Sequence, residues 1–275
     1  MDKTPKLSII MGIYTSKDKN MVRKAIQSIV DQTFEDWEFV ICDDGSPDDT
    51  WEFLNREYGN DQRFVLIRNE KNGGLRVALN SCLKAAKAEY VVRMDSDDYS
   101  RPDRLQILYD YVQKNPTVDV IGTAMVSFDE KGENGIIHPR KEKPTKMDFI
   151  HGSVVAHATT IMKKNSLDKV GGYRVAWETT RCEDTDLYMR MCASGAVFHN
   201  IPDSLYYVRQ DAAAYSRKKY INRIKEAVVK FKGFKVLQMP IGAYVFVAKP
   251  LIVGLIPQQM QRAIKKCILK HKVRN

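Results

Sequence analysis

Three carboxylates fall within four residues of the run Tyr90-Val91-Val92-Arg93-Met94-Asp95-Ser96-Asp97-Asp98, directly after a short apolar stretch. Aspartates so placed are hard oxygen donors suited to Mn²⁺ or Mg²⁺, ions that leave coordination positions to phosphate and water. The apolar stretch reads as a strand, and in an open parallel sheet ligands bind in the crevice beyond the carboxyl ends of the strands. A phosphate-bearing substrate is therefore indicated. A plainer role uses the same residues: Asp97 and Asp98 can form a turn and cap a helix opened by Pro102 and Asp103. A second acid pair, Asp43-Asp44, ends another apolar run, Trp37-Glu38-Phe39-Val40-Ile41-Cys42. Two such clusters suit a nucleotide, one accepting hydrogen bonds from base and ribose and the other anchoring a cation against a diphosphate.

The elements that must position these acids alternate. Leu7-Ser8-Ile9-Ile10-Met11 reads as the first strand, and Val22, Ile26, Ile29 and Val30 mark a helical stripe behind it. Residues 37–42 form a strand, 48–58 a helix, 64–67 a strand and 74–87 a helix with Leu75, Leu79, Cys82 and Leu83 inward. After the strand ending at Arg93 come a helix over 104–114 and a strand over 118–122. This alternation predicts βα units around a mainly parallel sheet. Residues 128–144 turn polar, with Gly132, Gly135 and Pro139, and read as a loop or hairpin; residues 183–193 read as a helix.

Composition narrows the function. The chain has 275 residues and a formal net charge of +10. Fifteen Lys or Arg and one acid, Glu226, fall in residues 212–275, which leaves residues 1–211 with 29 bases and 33 acids. The basic excess belongs to the tail, which argues against a nucleic-acid-binding body. Five cysteines show no paired spacing, so neither a disulfide framework nor a zinc knuckle is implied. No Walker loop and no glycine-rich dinucleotide fingerprint follows the first strand, and ATP hydrolysis and NAD chemistry fall away.

In order along the chain, residues 7–14, Asp43-Asp44-Gly45-Ser46, Asn72-Gly73-Gly74-Leu75 with Ala78-Leu79-Asn80, and residues 90–98 with Pro102 and Arg104 resemble family 2 glycosyltransferases. Gly171-Gly172-Tyr173 and Glu183-Asp184 extend the resemblance to about residue 210. It implies an α/β glycosyltransferase A fold, with a Rossmann-like, mostly parallel sheet flanked by helices, and inverting transfer from a nucleotide-sugar donor, here a UDP-sugar, with Mn²⁺ or Mg²⁺. Carried over by position, Asp43 and Asp44 contact the nucleoside and Tyr14 lies beside the base. Asp97 is the principal metal ligand, Asp95 a donor contact and further ligand, and Arg76 meets phosphate. Asp184, or Glu183 beside it, is the base that deprotonates the acceptor, and His157 belongs to the acceptor side.

The expected division is a catalytic domain over 1–211 and a basic, partly apolar helical appendage over 212–275. Residues 258–275 carry Arg262, Lys265, Lys266, Lys270, Lys272 and Arg274 without an acid, a pattern suited to an anionic membrane surface. A cytoplasmic enzyme held peripherally at the inner face of the cell membrane, acting on a saccharide or lipid-linked saccharide in surface polysaccharide assembly, fits these features. The competing readings are a sugar-phosphate nucleotidyltransferase, whose glycine-rich N-terminal loop is missing, and a non-enzymatic basic protein that binds nucleic acid or membrane.

Overall fold

Alternation along the first strand sets the layering. In β1 (Leu7–Ile13), Leu7, Ile9, Met11 and Ile13 enter one hydrophobic cluster while Ile10 enters another, because successive side chains point to opposite faces of a sheet. The next strand, β2 (Trp37–Asp43), is buried at every position. That is the condition of a parallel strand covered on both faces. The computed structural model describes residues 4–16, 18–210 and 220–255.

One face of the sheet is covered by α1 (Lys19–Val30), α2 (Thr50–Tyr58) and α4 (Arg104–Lys114), through Val22, Ile26, Phe53, Leu54, Leu105 and Leu108. The other is covered by α3 (Leu75–Ala85), α5 (Lys164–Lys169) and α6 (Glu183–Ala193), through Leu79, Leu83, Leu167, Leu187 and Met191. The remaining strands are β3 (Phe64–Arg68), β4 (Tyr90–Arg93), β5 (Tyr99–Ser100), β6 (Val120–Asp129), β7 (Gly132–Ile137), β8 (Ile161–Lys163) and β9 (Phe198–Arg209). Their order is β3-β2-β1-β4-β8-β6-β9-β5, with β7 paired to β6. Pairing is parallel from β3 through β4 and again between β6 and β9, while β8 runs antiparallel to both its neighbours.

This order fixes where the acids meet. Because β1 lies between β2 and β4 and all three are parallel, Asp43 and Asp95 flank the end of β1 at Tyr14. The polar stretch 128–144 resolves into the β6–β7 hairpin followed by an irregular segment. The long strand β9 was not anticipated, although Leu205-Tyr206-Tyr207-Val208 has the aromatic and β-branched content of a strand.

The hydrophobic core continues past residue 211. In α7 (Tyr220–Val236), Val229 and Phe234 join the cluster beneath α6, as do Leu237, Met239 and Ala243 beyond it. Gly233 lies against Met189, where an added Cβ would meet the sulfur at 2.2 Å. Lys232 Nζ pairs with buried Glu178 at 2.7 Å. A short α8 (Lys249–Leu255) follows. The basic segment 258–275 lies outside the described residues. Among the described residues, no helix is long and apolar enough to cross a membrane.

Candidate active site

The site is built on the ends of β1, β2 and β4. Asp43, fully buried at the end of β2, accepts a hydrogen bond from the Ser46 amide on Oδ1 at 3.1 Å. Its Oδ2 lies 3.4 Å from Arg68 Nε but has no hydrogen-bond partner. An unsatisfied buried acceptor is costly and calls for a donor. Tyr14 stands 45% exposed beyond the end of β1, and the Thr15 amide donates to Ser46 Oγ at 2.9 Å, which stitches the two loops together.

Asp44 is engaged differently. Its Oδ1 accepts from Asn69 Nδ2 at 2.7 Å, and its Oδ2 from the amides of Gly73 at 3.1 Å and Gly74 at 2.6 Å. Those amides open α3, and a carboxylate at a helix N-terminus satisfies orphan donors and faces the positive end of the dipole. Asp44 therefore holds the 69–74 loop. Gly45 makes this possible: its φ is +68°, and an added Cβ would lie 2.7 Å from the Lys71 carbonyl carbon. Gly45→Ala should cost about 2–4 kcal/mol through strain and overpacking. Thermal unfolding would show this as a lower Tm.

The acid turn after β4 is held from below. Arg93, fully buried, pairs with Asp95 Oδ1 and donates to the Met94 carbonyl. Tyr206 of β9 accepts from the Asp95 amide at 3.1 Å, and Asp98 Oδ1 accepts from the Arg209 amide at 2.7 Å. Burial, with the charges of Asp95 and Asp97 beside it, pushes the Asp98 carboxyl well above the usual range. Asp98 is thus an internal support, while Asp95 and Asp97 remain partly exposed at the crevice. Arg104, buried under the same turn, donates to the carbonyls of Arg93 and Ala158.

Arg76 does not stand free for phosphate. Its Nη1 donates to the Ala176 carbonyl and, at 2.8 Å, to Thr179 Oγ1, tying α3 to the turn before α6. Asn80 closes the same junction: it donates to the Tyr173 carbonyl at 2.7 Å and accepts from the Tyr173 amide at 2.9 Å. Tyr173 OH in turn meets His157 Nε2 at 2.7 Å. Burial and the nearby Arg93 charge hold His157 well below its ordinary pKa, so it is a neutral member of a packed network with Tyr173 and Tyr188.

Three acids crowd the first turn of α6, and their surroundings separate them. Asp186 is paired with Arg174 Nη2 at 2.5 Å and Arg190 Nε at 2.8 Å. Glu183 and Asp184 have no ion-pair partner among the described residues. The helix dipole favours their charged forms, yet burial wins: it raises both carboxyls, against hydrogen bonds to Asp184 from Thr185 and Ser153. Asp184 opens into a cavity of about 770 Å³, shared with Ser153, Val155 and Ala156. Arg181, two residues before Glu183, has φ +68°, and Thr15 beside Tyr14 has φ +45°. Left-handed backbone at non-glycine residues persists only where the surroundings enforce it.

Residues 8–171 match the family model described as Glycosyl transferase family 2. The chain is similar to EpsE of Bacillus subtilis, named as a glycosyltransferase, with 34% identity over 275 residues, covering 99% of this chain and 98% of that one. It is also similar to the UDP-Gal:alpha-D-GlcNAc-diphosphoundecaprenol beta-1,3-galactosyltransferase of Escherichia coli, with 31% identity over 244 residues, 84% of this chain and 83% of the relative. Among solved structures, S. aureus TarS 1-349 in complex with UDP-GlcNAc superposes with a TM-score of 0.68 at 20% identity, over 91% of this chain and 71% of that chain. At that identity the likeness speaks to the fold.

Proposed function

The chain belongs to glycosyltransferase family 2, and from that premise we propose that it transfers a sugar from a UDP-sugar, with inversion, to a lipid-linked saccharide in surface polysaccharide assembly. One observation carries the mechanism: of the three acids opening α6, Asp184 alone combines a cavity wall with a burial-raised, unpaired carboxyl. In this reading Asp184 takes the proton of the acceptor hydroxyl as its oxygen attacks the anomeric carbon. The bond from that carbon to the diphosphate breaks, and UDP leaves with the electron pair from the opposite face. Glu183 shares the turn but does not line the cavity among the described residues, which favours Asp184 over it.

On the donor side, Asp43 Oδ2, which faces Arg68 Nε at 3.4 Å but accepts no hydrogen bond, suits an imide N–H of a pyrimidine base, with Tyr14 alongside. The donor set at the acid turn fits a divalent cation. Asp97 and Asp95 offer two carboxylates, and Mg²⁺ or Mn²⁺ is commonly held by one or two carboxylates with substrate phosphates completing the shell. No cluster of three metal-ligating side chains occurs among the described residues, so donor oxygens would complete the set. When bound, the cation neutralises charge on the departing diphosphate.

The UDP preference is supported by the UDP-Gal donor in the name of the Escherichia coli relative and by the TarS complex with UDP-GlcNAc. The lipid-linked acceptor is supported by the same relative's diphosphoundecaprenol substrate. The basic tail and the exposed Ile241, Val245, Ile252 and Leu255 of the preceding turns support attachment at the inner face of the cell membrane. A panel of UDP-, GDP- and dTDP-sugars tests the reading by calorimetry and slow hydrolysis with Mn²⁺. UDP-sugars alone should bind and turn over; preference for another nucleotide would move the donor assignment, and binding of none would end the proposal.

A further inference from the structure

The cavity that Asp184 enters is lined by cations from two separate parts of the chain. Arg140 and Lys141 come from the irregular segment after β7, and Lys249 from the start of α8. Lys230 of α7 stands close enough to add to the charge felt at His151, as do Arg140 and Lys249. Their acidic partners are few. Asp148 is matched by Lys141 at 3.1 Å and by the Thr145 amide and hydroxyl at 2.7 and 2.9 Å. Lys230 is matched by Glu226 at 3.5 Å. Arg140 and Lys249 have no carboxylate within ion-pair distance among the described residues, and Arg140 Nη1 donates only to the His151 carbonyl, at 3.2 Å.

These cations are positioned by a rigid support. Asn200, buried in β9, donates to the carbonyls of Lys141 at 2.8 Å and Val154 at 3.0 Å, and its amide donates to the Glu142 carbonyl at 2.6 Å. Those bonds clamp the Arg140 segment to the sheet beside the wall that carries Ser153 and Asp184. A cavity of about 770 Å³ lies within the range of small-ligand sites. Unpaired cations facing a shared, partly desolvated space favour an anion there, since charge-assisted bonds are stronger than neutral ones.

We propose that Arg140 and Lys249 form a subsite for a phosphate group of the acceptor, so that the sugar receiving the transfer is recognised as a glycosyl phosphate or diphosphate ester. This rests on the glycosyltransferase reading above and adds to it the acceptor's chemical class. It also explains why the appendage packs on the catalytic body: α7 and the turn after it deliver Lys249 to the cavity. Anionic membrane headgroups carry the same chemistry, and the measurement must separate the two sources.

The probes are a hexosamine 1-diphosphate ester with a short alkyl chain and the matching alkyl glycoside without phosphate. Binding to the full chain is measured by calorimetry without donor and with a chelator, so that the acid turn repels the diphosphate. The wild type should bind the diphosphate at least about tenfold more tightly, a difference of 1.4 kcal/mol. Arg140→Gln with Lys249→Gln should remove that preference, and Arg140→Lys with Lys249→Arg should restore it. Equal binding of the two probes by wild type, or a preference kept by the glutamine variant, overturns the proposal. So does a glutamine variant that keeps the soluble preference while losing binding to phosphatidylglycerol vesicles, which would assign the cations to headgroups. Because no donor is present, failure of all nucleotide sugars to bind would count against the glycosyltransferase reading and leave this result to stand separately.

Discussion

Asp184→Asn should lower kcat by about 10²–10⁴-fold while nucleotide-sugar affinity stays within about twofold of wild type, because a positioned general base contributes a factor of that size. The substitution is nearly isosteric and keeps an acceptor oxygen for the Thr185 and Ser153 hydrogen bonds. Lost proton transfer is then the principal change. Glu183→Gln should fall by less than tenfold, since Glu183 does not share the cavity wall. Steady-state transfer and donor titration on both variants decide the assignment: a normal rate in Asp184→Asn would remove Asp184 from the mechanism.

The same carboxyl makes two pH predictions with a common sign. Burial raises its pKa, and the base works only when deprotonated. The acid limb of kcat/KM should therefore lie above the ordinary aspartate range, and the residual activity of Asp184→Asn should lack that limb. For stability, a raised folded-state pKa means the native protein binds this proton more tightly than the unfolded chain. Its stabilising contribution is full below the unfolded pKa and lost as pH rises through the folded one. Asp184→Asn should therefore melt above wild type at neutral pH, with the gap closing as pH falls below the ordinary aspartate range. In the proposed role, a base kept where its charge is disfavoured exchanges stability for activity.

How much of this was legible depended on whether a residue's partners lie close in sequence. The acid turn at Asp95 to Asp98 could be read because strand, turn and carboxylates are contiguous, and a parallel sheet places strand ends together. The pair at Asp43-Asp44 was visible for the same reason, yet its division of labour was not. Asp43 and Asp44 are neighbours with opposite fates, because only Asp44 reaches the amides that open α3, some thirty positions away. The bonds of Arg76 could not be read from the sequence, because its partners, Ala176 and Thr179, are about a hundred residues distant. The bond that holds His157, to Tyr173 sixteen residues on, had no sequence signature. Arg140 and Lys249 carried no motif at all, since a basic residue in a polar loop or an apolar helix has no distinguishing spacing. Only the packing of α7 under α6 brings them to one cavity.

Asp97 and Asp95 share a turn, but their removal should have different consequences. Asp97→Ala should abolish the cation dependence of UDP-sugar binding and weaken binding by at least about 10²-fold, since loss of even an outer-shell partner of a metal costs 10–100-fold. Wild type treated with a chelator should bind the donor no better than the variant does. The fold should be little affected, as Asp97 sits partly exposed on the turn between β4 and β5. Asp95 is different, because Arg93 beneath it is fully buried and pairs with it. Asp95→Ala leaves that guanidinium without its carboxylate in a low-dielectric interior, at a cost of about 2–3 kcal/mol after allowing for the one-third exposure of Asp95. It should therefore lose thermal stability as well as donor affinity, by roughly 2–4 °C per kcal/mol. Calorimetric donor titration with and without Mn²⁺, beside thermal melts of both variants, reads the two effects separately. If Asp97→Ala keeps wild-type cation dependence, the acid turn is a structural support and the diphosphate must be neutralised by other groups.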